Sequence, residues 1–236
     1  LVGSEMCIRD RHKLHFSYFC RNTVERKYDY MNKEVLYVLL PDYAAHEMVY
    51  LSEAIASDEF ALKENPKYVN KVVAPTLEPV KSIGGFRVIP DYSFDTMPED
   101  YAALVLIGGF GWTTPVAEKV APIVSKAIEA GKVVGAICNA VSFMAKCGFL
   151  NHVRHTGNGL EQLKLWGGDH YTHFEGYVHT PAVSDNRIVT ANGSATLEFA
   201  KELLLLLEND TPEHIEMYYQ FNKRGFCDLF PQYKQI

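Results

Sequence analysis

The stretch KVVGAICNA, residues Lys132–Ala140, is a β-branched run that stops at a cysteine between small residues. Apolar residues then recur at helical spacing, at Val141, Phe143, Met144 and Cys147. This pattern predicts a strand, a sharp turn and a helix, with Cys138 at the tip as in a nucleophile elbow. Because the tip is also a helix N-terminus, the helix dipole predicts a lowered pKa for Cys138. The alternative is a buried core cysteine, since free cysteine packs as a small hydrophobe.

Strands and helices alternate on both sides of this stretch, from residue 31 onward. Strands are predicted at residues 35–40, 69–74, 103–107, 132–137, 177–183 and 187–190, with a hairpin of residues 79–82 and 86–89. Helices are predicted at residues 45–57, 115–130, 159–166, 198–208 and 212–223. The alternation predicts an α/β fold, a mostly parallel sheet with helices on both faces. Residues 31–236 are expected to form a single domain.

Three of the predicted strand ends carry residues that suit covalent chemistry. Ligands of parallel sheets bind beyond the carboxyl ends of the strands, so these ends are expected to converge. The first strand is followed by Glu47, a candidate proton carrier if burial raises its pKa. The strand at 103–107 leads into Gly108-Gly109, and the third ends at Cys138. The backbone N–H groups of Gly109 and Asn139 are candidate oxyanion donors.

Each of these residues also has a plainer interpretation. Taken alone, Glu47 is more typical of a solvated glutamate in the first turn of a helix, where the dipole stabilises it. Gly108-Gly109 by itself is typical of a turn after a strand. Gly108 and Trp112 are expected to line the pocket if the site is real, although Trp112 also suits the core.

Composition narrows the classes of function. The chain has 236 residues, 47% of them hydrophobic, and a formal net charge of −6. The negative charge argues against nucleic acid as a partner, because neutralising phosphates needs a basic surface. No apolar run approaches the roughly 18 residues of a membrane span, so no membrane association is expected. The five cysteines form no CxxC pair, which favours a reducing, cytoplasmic location over a disulfide framework.

Residues 1–30 differ from the rest of the chain. They carry six Lys/Arg and four Asp/Glu, and they show neither strand alternation nor a helical stripe. They also lack the continuous apolar segment of a signal peptide. We expect residues 1–30 to be a non-native or disordered extension, with the domain beginning at about residue 31.

Taken together, the motifs resemble those of the ThiJ/PfpI superfamily over roughly residues 33–209. The resemblance is carried by Asp42–Glu47, Gly108-Gly109, the Ala136-Ile137-Cys138 elbow and Ile188–Phe199. The sequence also resembles the bacterial amidotransferase-like branch of this superfamily, at Gly84-Gly85, Pro90-Asp91 and Gly109-x-Gly111-Trp112. The resemblance implies a flavodoxin-like three-layer sandwich, related to class I glutamine amidotransferases. It also implies Cys138 as the reactive residue and Glu47 as its partner.

The resemblance implies a third site residue and reveals two departures. His155, or Thr156 in another register, matches a family position near the nucleophile. Asn139 stands where the protease-like members have histidine, which argues against a peptidase. The loop Asn192–Ser194 lacks the H-x-E pattern of true glutamine amidotransferases, which argues against glutaminase activity.

A group of histidines between residues 152 and 179 raises the question of a metal site. They are His152, His155, His170, His173 and His179. Imidazole is a common zinc ligand, but no cysteine and no pair at helical i,i+4 spacing accompanies them. Surface histidines are the favoured interpretation, and we predict neither a metal nor a cofactor.

Two classes of function remain open. The first is an enzyme whose Cys138 adds to a small carbonyl or acyl substrate, in the glyoxalase-like or deglycase-like hydrolysis that the resemblance implies. The second is a non-catalytic sensor of oxidative stress or a chaperone, since an accessible cysteine can be oxidised to the sulfinic acid. Amidotransferase and peptidase activities are less favoured. Members of the superfamily usually dimerise, so a twofold homodimer is expected.

Overall fold

The strand that leads to Cys138 lies inside a mostly parallel sheet. A computed structural model describes residues 33–57 and 62–231, so the extension predicted over residues 1–30 falls outside the described residues. The strands within the described residues are β1 (Lys33–Val38), β2 (Tyr68–Ala74), β3 (Val80–Lys81), β4 (Arg87–Val88), β5 (Tyr92–Ser93), β6 (Ala103–Leu106), β7 (Val133–Ile137), β8 (Ala182–Asp185) and β9 (Ile188–Ala191). Seven of them form one sheet in the order β5-β2-β1-β6-β7-β9-β8, parallel except at β8. The other two, β3 and β4, pair as the predicted hairpin.

Helices cover both faces of this sheet. They are α1 (His46–Ala56), α2 (Ala121–Glu129), α3 (Asn139–Lys146), α4 (Leu160–Gly167), α5 (Thr196–Leu207), α6 (Pro212–Arg224) and α7 (Phe226–Leu229). One buried apolar cluster includes residues of α1, α5 and α6, and a second includes residues of α2, α3 and α4. No helix in the described part of the chain combines the length and hydropathy that a membrane span requires.

Alternation along the central strands produces these two cores. In β1, Val35 and Tyr37 belong to one cluster, whereas Leu36 and Val38 belong to the other. Successive side chains of a strand point to opposite faces, so a strand covered on both sides is apolar throughout. The central order β2-β1-β6-β7-β9 is that of a flavodoxin-like sheet. The predicted flavodoxin-like three-layer sandwich is therefore confirmed.

Two predicted elements differ from those in the structure. The helix predicted at residues 115–130 begins as a 3-10 helix, Pro115–Val120, before α2. The strand predicted at residues 177–183 is wrong in its first part, because β8 begins only at Ala182. Tyr177 forms an isolated bridge with His155 instead. Pro181, which has no N–H to donate, separates this bridge from β8.

Gly135, in the middle of β7, determines how closely α5 packs on the sheet. A Cβ at this position would lie 3.0 Å from side-chain atoms of both Phe199 and Leu203. Both side chains are fully buried, so neither can move without disturbing other close-packed contacts. The absence of a side chain at Gly135 therefore allows α5 to pack closely against β7, the strand that leads to the turn.

Replacing Gly135 by alanine is expected to lower the free energy of unfolding by about 1–3 kcal/mol, because it overpacks the core. The control is Gly84→Ala, where the added Cβ would meet its nearest atom at 3.8 Å, and where we expect a change within about 0.5 kcal/mol. Urea unfolding of both variants measures the difference. Equal stabilities for the two variants would contradict the packing argument.

Candidate active site

Cys138 occupies the turn between β7 and α3. Its backbone has φ of 60° and ψ of −128°, a conformation that costs a residue with a side chain about 1–3 kcal/mol. Such a conformation persists only where the surrounding structure imposes it, and strained residues of this kind cluster at functional sites. The predicted strand–turn–helix is present, and an ordinary core cysteine does not account for the strained backbone.

Glu47 faces the thiol from the first turn of α1. It is only 3% exposed, and its carboxyl group lies beside the Cys138 side chain and interacts with it. The backbone N–H of Gly108 donates to Glu47 Oε2 at 2.7 Å. Glu47 is therefore buried beside the cysteine rather than solvated at a helix start.

Two glycines enclose the Cys138–Glu47 pair. A Cβ at Gly108 would lie 2.5 Å from Glu47 Oε2 and 2.6 Å from the Cβ of Cys138. A Cβ at Gly193 would lie 2.8 Å from Cys138 Sγ and 3.4 Å from Glu47 Oε1. Neither position accepts a side chain without displacing the pair. The loop Asn192–Ser194 thus meets the thiol through glycine, where an amidotransferase would be expected to bring a catalytic side chain.

Burial and the charge of Glu47 determine the protonation of the pair. Burial raises the pKa of the Cys138 thiol, and the negative charge of Glu47 raises it further. Hydrogen bonds from Asn158 and from the Asn139 N–H oppose these effects. Burial also raises the pKa of Glu47. The pKa that the helix dipole was predicted to lower is therefore raised, because desolvation beside a carboxylate outweighs the dipole.

Of the two predicted oxyanion donors, Asn139 interacts with the sulfur and Gly109 lines the same cavity. The Asn139 N–H hydrogen-bonds the Cys138 sulfur, as the unpaired first N–H of a helix can do. The Asn139 side chain donates to the carbonyl of Gly109 at 3.0 Å and accepts from Gln162 at 3.0 Å. This amide therefore holds the Gly109 loop and α4 together. Within the described residues the Gly109 N–H has no acceptor, which leaves it available to a ligand.

These groups lie in a cavity of about 910 Å³ at the carboxyl ends of the central strands. The cavity straddles β1 and β6, the point where the strand order reverses and where such sheets bind ligands. The wall of the cavity is apolar at Ile83, Phe110 and Leu160 and polar at His46 and His179. The space is large enough for a small metabolite together with water.

The sequence analysis missed Asn158, which lies next to the sulfur. Its Nδ2 donates to Cys138 Sγ at 3.3 Å, and its Oδ1 accepts from the Gly193 N–H at 2.9 Å. The side chain of Asn158 is neither an acid, a base nor a nucleophile, so its residue type alone does not mark it as part of a catalytic site. The available signal was its position two residues after Thr156, a residue already considered for the site.

His155 and its alternative, Thr156, do not line the cavity. His155 is fully buried; its Nδ1 donates to the carbonyl of Val153 at 2.8 Å, and its Nε2 accepts from the Tyr171 hydroxyl at 2.6 Å. The Thr156 hydroxyl donates to the carbonyl of Thr180 at 2.7 Å. Since these groups are engaged elsewhere, neither residue is placed to act on the thiol, and the expected catalytic role of His155 is withdrawn.

The two residues expected in the pocket have different positions. Trp112 is 3% exposed, packs against Phe143 and donates from Nε1 to the carbonyl of Ile107 at 2.7 Å. It belongs to the core below the cavity, so the expectation that it lines the pocket is wrong. Gly108 contacts the Cys138–Glu47 pair but does not line the cavity either, whereas its neighbour Gly109 does.

The histidines between residues 152 and 179 are dispersed. His152, His170 and His179 are exposed, His173 is partly buried, and His155 is in the core. Across residues 33–57 and 62–231, no three potential metal ligands converge. His155 and His173 lie side by side, with ring centroids 6.3 Å apart, but the grouping in sequence does not bring three ligands together.

The fold and this site have counterparts among known proteins. The model of the DJ-1/PfpI family matches residues 33–206, so the chain belongs to this family, as the resemblance predicted. A Bacillus subtilis (strain 168) protein named uncharacterized protease YdeA is 36% identical over 202 residues, 84% of this chain and 96% of that protein. The crystal structure of a DJ-1 superfamily protein from Agrobacterium tumefaciens has a TM-score of 0.72 at 32% identity, covering 81% of this chain and 98% of that one. A thiJ/pfpI family protein from Bacillus anthracis has a TM-score of 0.75 at 29% identity, covering 85% and 94%.

Replacing Glu47 by glutamine is expected to lower the pKa of Cys138, because it removes the charge that raises this pKa. The amide oxygen can still accept from the Gly108 N–H, so the fold should be kept. The measurement is the rate of Cys138 alkylation by iodoacetamide as a function of pH, followed by mass spectrometry.

The matched control is Glu53→Gln, which changes an exposed carboxylate of the same helix. Its alkylation profile should match that of the wild type. If the Glu47→Gln profile also matches the wild type, Glu47 does not act on the thiol.

Proposed function

We propose that this protein is a cysteine-dependent enzyme that converts small 2-oxoaldehydes, such as methylglyoxal, into 2-hydroxy acids. The observation that carries the proposal is the half-buried Cys138 thiol against the buried Glu47 carboxyl, in an accessible cavity that Gly109, with an N–H unpaired within the described residues, also lines. This combination offers a sulfur nucleophile, one proton carrier and an oxyanion donor, which are the groups that covalent addition to a carbonyl needs.

The first step is addition of the sulfur to the aldehyde carbon. Cys138 passes its proton to Glu47, the sulfur–carbon bond forms, and the carbonyl π electrons move to oxygen. The N–H groups of Gly109 and Asn139 hydrogen-bond this oxygen as its charge develops. Glu47 then returns the proton to the oxygen, which completes a hemithioacetal. A carboxyl group with a raised pKa suits this exchange, because it holds a proton at higher pH than a solvated one.

The later steps convert the hemithioacetal into the acid. The Glu47 carboxylate removes the proton from the sulfur-bearing carbon while the neighbouring ketone oxygen takes up a proton, which gives an enediol. A proton then adds to the former ketone carbon, and the hydroxyl on the sulfur-bearing carbon loses its proton as its C=O bond forms, which gives a 2-hydroxyacyl thioester. Water then attacks the thioester, the sulfur–carbon bond breaks, and the thiol recovers its proton. The overall reaction adds one water molecule to the oxoaldehyde and needs no oxidant or reductant.

A peptidase, which the name of the Bacillus subtilis relative suggests, is less well supported. Cleaving an amide requires a proton for the leaving amine, and this proton usually comes from a histidine paired with the cysteine. In the described part of the chain, no histidine is hydrogen-bonded to Cys138. Asn139 and Asn158, its polar neighbours, carry amides that do not transfer protons.

The second candidate is a sensor of peroxide, in which Cys138 is oxidised to the sulfinic acid and does not turn over. The contacts of Glu47 and Asn158 with the cysteine side chain favour it, because the same groups can donate to sulfinate oxygens. The two candidates share Cys138, so turnover is what separates them.

Wild-type protein is expected to form 2-hydroxy acid from methylglyoxal, and Cys138→Ala to form none. Glu47→Gln should lower the rate by about 10²–10⁴-fold, although it makes the thiol more acidic, because the proton carrier is lost. Enzymatic detection of lactate measures the product. The control is Cys147→Ala at the end of α3, which should keep the wild-type rate.

Absence of product from the wild type would exclude the proposed enzyme. If peroxide then converts Cys138 to the sulfinic acid while Cys147 stays reduced, the sensor is the function that remains.

A further inference from the structure

We propose that Asn158 is the third catalytic residue of this site, a neutral donor that stabilises first the Cys138 thiolate and then the oxygen of the bound carbonyl. The contact that carries the inference is the hydrogen bond from Asn158 Nδ2 to Cys138 Sγ at 3.3 Å. Asn158 also lines the cavity, so its second Nδ2 hydrogen is accessible to a ligand beside the sulfur.

The orientation of this amide is imposed by its neighbour. The Gly193 N–H donates to Asn158 Oδ1 at 2.9 Å. An N–H can only donate, so the oxygen of the amide must face Gly193 and the nitrogen must face the sulfur. Gly193 is itself anchored, because His46 Nε2 contacts its carbonyl at 3.4 Å. The donor is thus aimed at the thiol before any substrate arrives.

The backbone before Asn158 is held rigidly. The His155 N–H donates to the carbonyl of Gly176 at 2.9 Å, and the Val178 N–H donates to the carbonyl of His155 at 2.8 Å. The Thr156 N–H donates to Thr190 Oγ1 of β9 at 2.9 Å. His155 and Thr156 are fully buried. The two residues predicted as catalytic therefore support the loop that presents Asn158.

Asn158 supplies hydrogen bonds without supplying a proton. When Cys138 gives its proton to Glu47, the Asn158 amide and the Asn139 N–H both donate to the resulting thiolate. When the sulfur adds to a carbonyl, Glu47 protonates the oxygen while Asn158 hydrogen-bonds it. The role of Asn158 at the carbonyl oxygen rests on the proposed function. Its role as a donor to the thiolate does not, and alkylation of Cys138 tests that role separately. It favours aldehydes as substrates, because aldehyde addition has no leaving group to protonate.

The test uses alkylation of Cys138 by iodoacetamide in the full chain, between about pH 6 and pH 11. The titratable side chains that line the cavity with Asn158 and Cys138 are Glu47, His46, Tyr177 and His179. None of them is changed in the variants, so a shifted profile reports the loss of the amide donor.

Two variants separate the hydrogen bond that Asn158 donates to the sulfur from the one that it accepts from Gly193. Asn158→Ala removes the hydrogen bond to the sulfur, and it should raise the apparent pKa of Cys138 by about one unit and slow alkylation at neutral pH about tenfold. Asn158→Asp keeps an acceptor for the Gly193 N–H but replaces the donor by a negative charge, so the pKa should rise further. The control is Asn151→Ala, which removes a partly buried amide that also bonds a distant segment, donating to the carbonyl of His170 and accepting from the Thr172 N–H. Its profile should match the wild type.

The proposal is overturned if the alkylation profile of Asn158→Asp matches that of the wild type. It is also overturned if Asn158→Ala folds and its profile matches that of the wild type. If Asn158→Ala fails to fold, as judged by circular dichroism, Asn158→Asp decides. Shifted profiles without any methylglyoxal turnover by the wild type would support Asn158 as the donor to the thiolate and reject the proposed function. Normal turnover with unshifted profiles would reject Asn158 and keep that function.

Discussion

The burial of a carboxyl group against a thiol is the constraint on which the rest of the site depends. Two acids in this position do not both ionise readily, because desolvation raises the pKa of each and the charge of Glu47 raises that of Cys138 further. The surrounding structure accommodates the pair with backbone and amide donors rather than with cations. Gly108 donates to Glu47, Asn158 donates to Cys138, and Gly193 leaves room for both. Both groups therefore hold their protons to higher pH than they would in water.

The sandwich brings these groups together because parallel strands end at one edge of the sheet. Glu47 follows β1, Gly108 follows β6, and Cys138 follows β7, so three separate parts of the chain meet where the strand order reverses. The apolar layers on both faces hold β7 and α3 in place. Their packing is what maintains the strained backbone of Cys138.

Amides take the place that a proton-carrying histidine has in cysteine peptidases. Asn139 joins the Gly109 loop to α4, and Asn158 joins the thiol to Gly193. Such groups stabilise negative charge without moving a proton, so Glu47 is the titratable group in contact with the thiol. A thiol in contact with one carboxyl group is suited to adding to a carbonyl, in which the proton leaves sulfur and arrives at oxygen. It is less suited to expelling an amine.

The sequence by itself determined the layered fold, the turn at Cys138 and the convergence of Glu47 and Gly109 on it. These follow from local periodicity and from the positions of strand ends, which adjacent residues encode. Only the tertiary structure decided that His155 is a support, that Asn158 faces the sulfur and that the pKa of Cys138 is raised. Each depends on contacts between distant parts of the chain: the Asn158–Gly193 bond spans 35 residues. The desolvation of the Cys138 thiol depends on all the parts of the chain that cover it, and the residues adjacent to Cys138 in sequence do not indicate which parts these are.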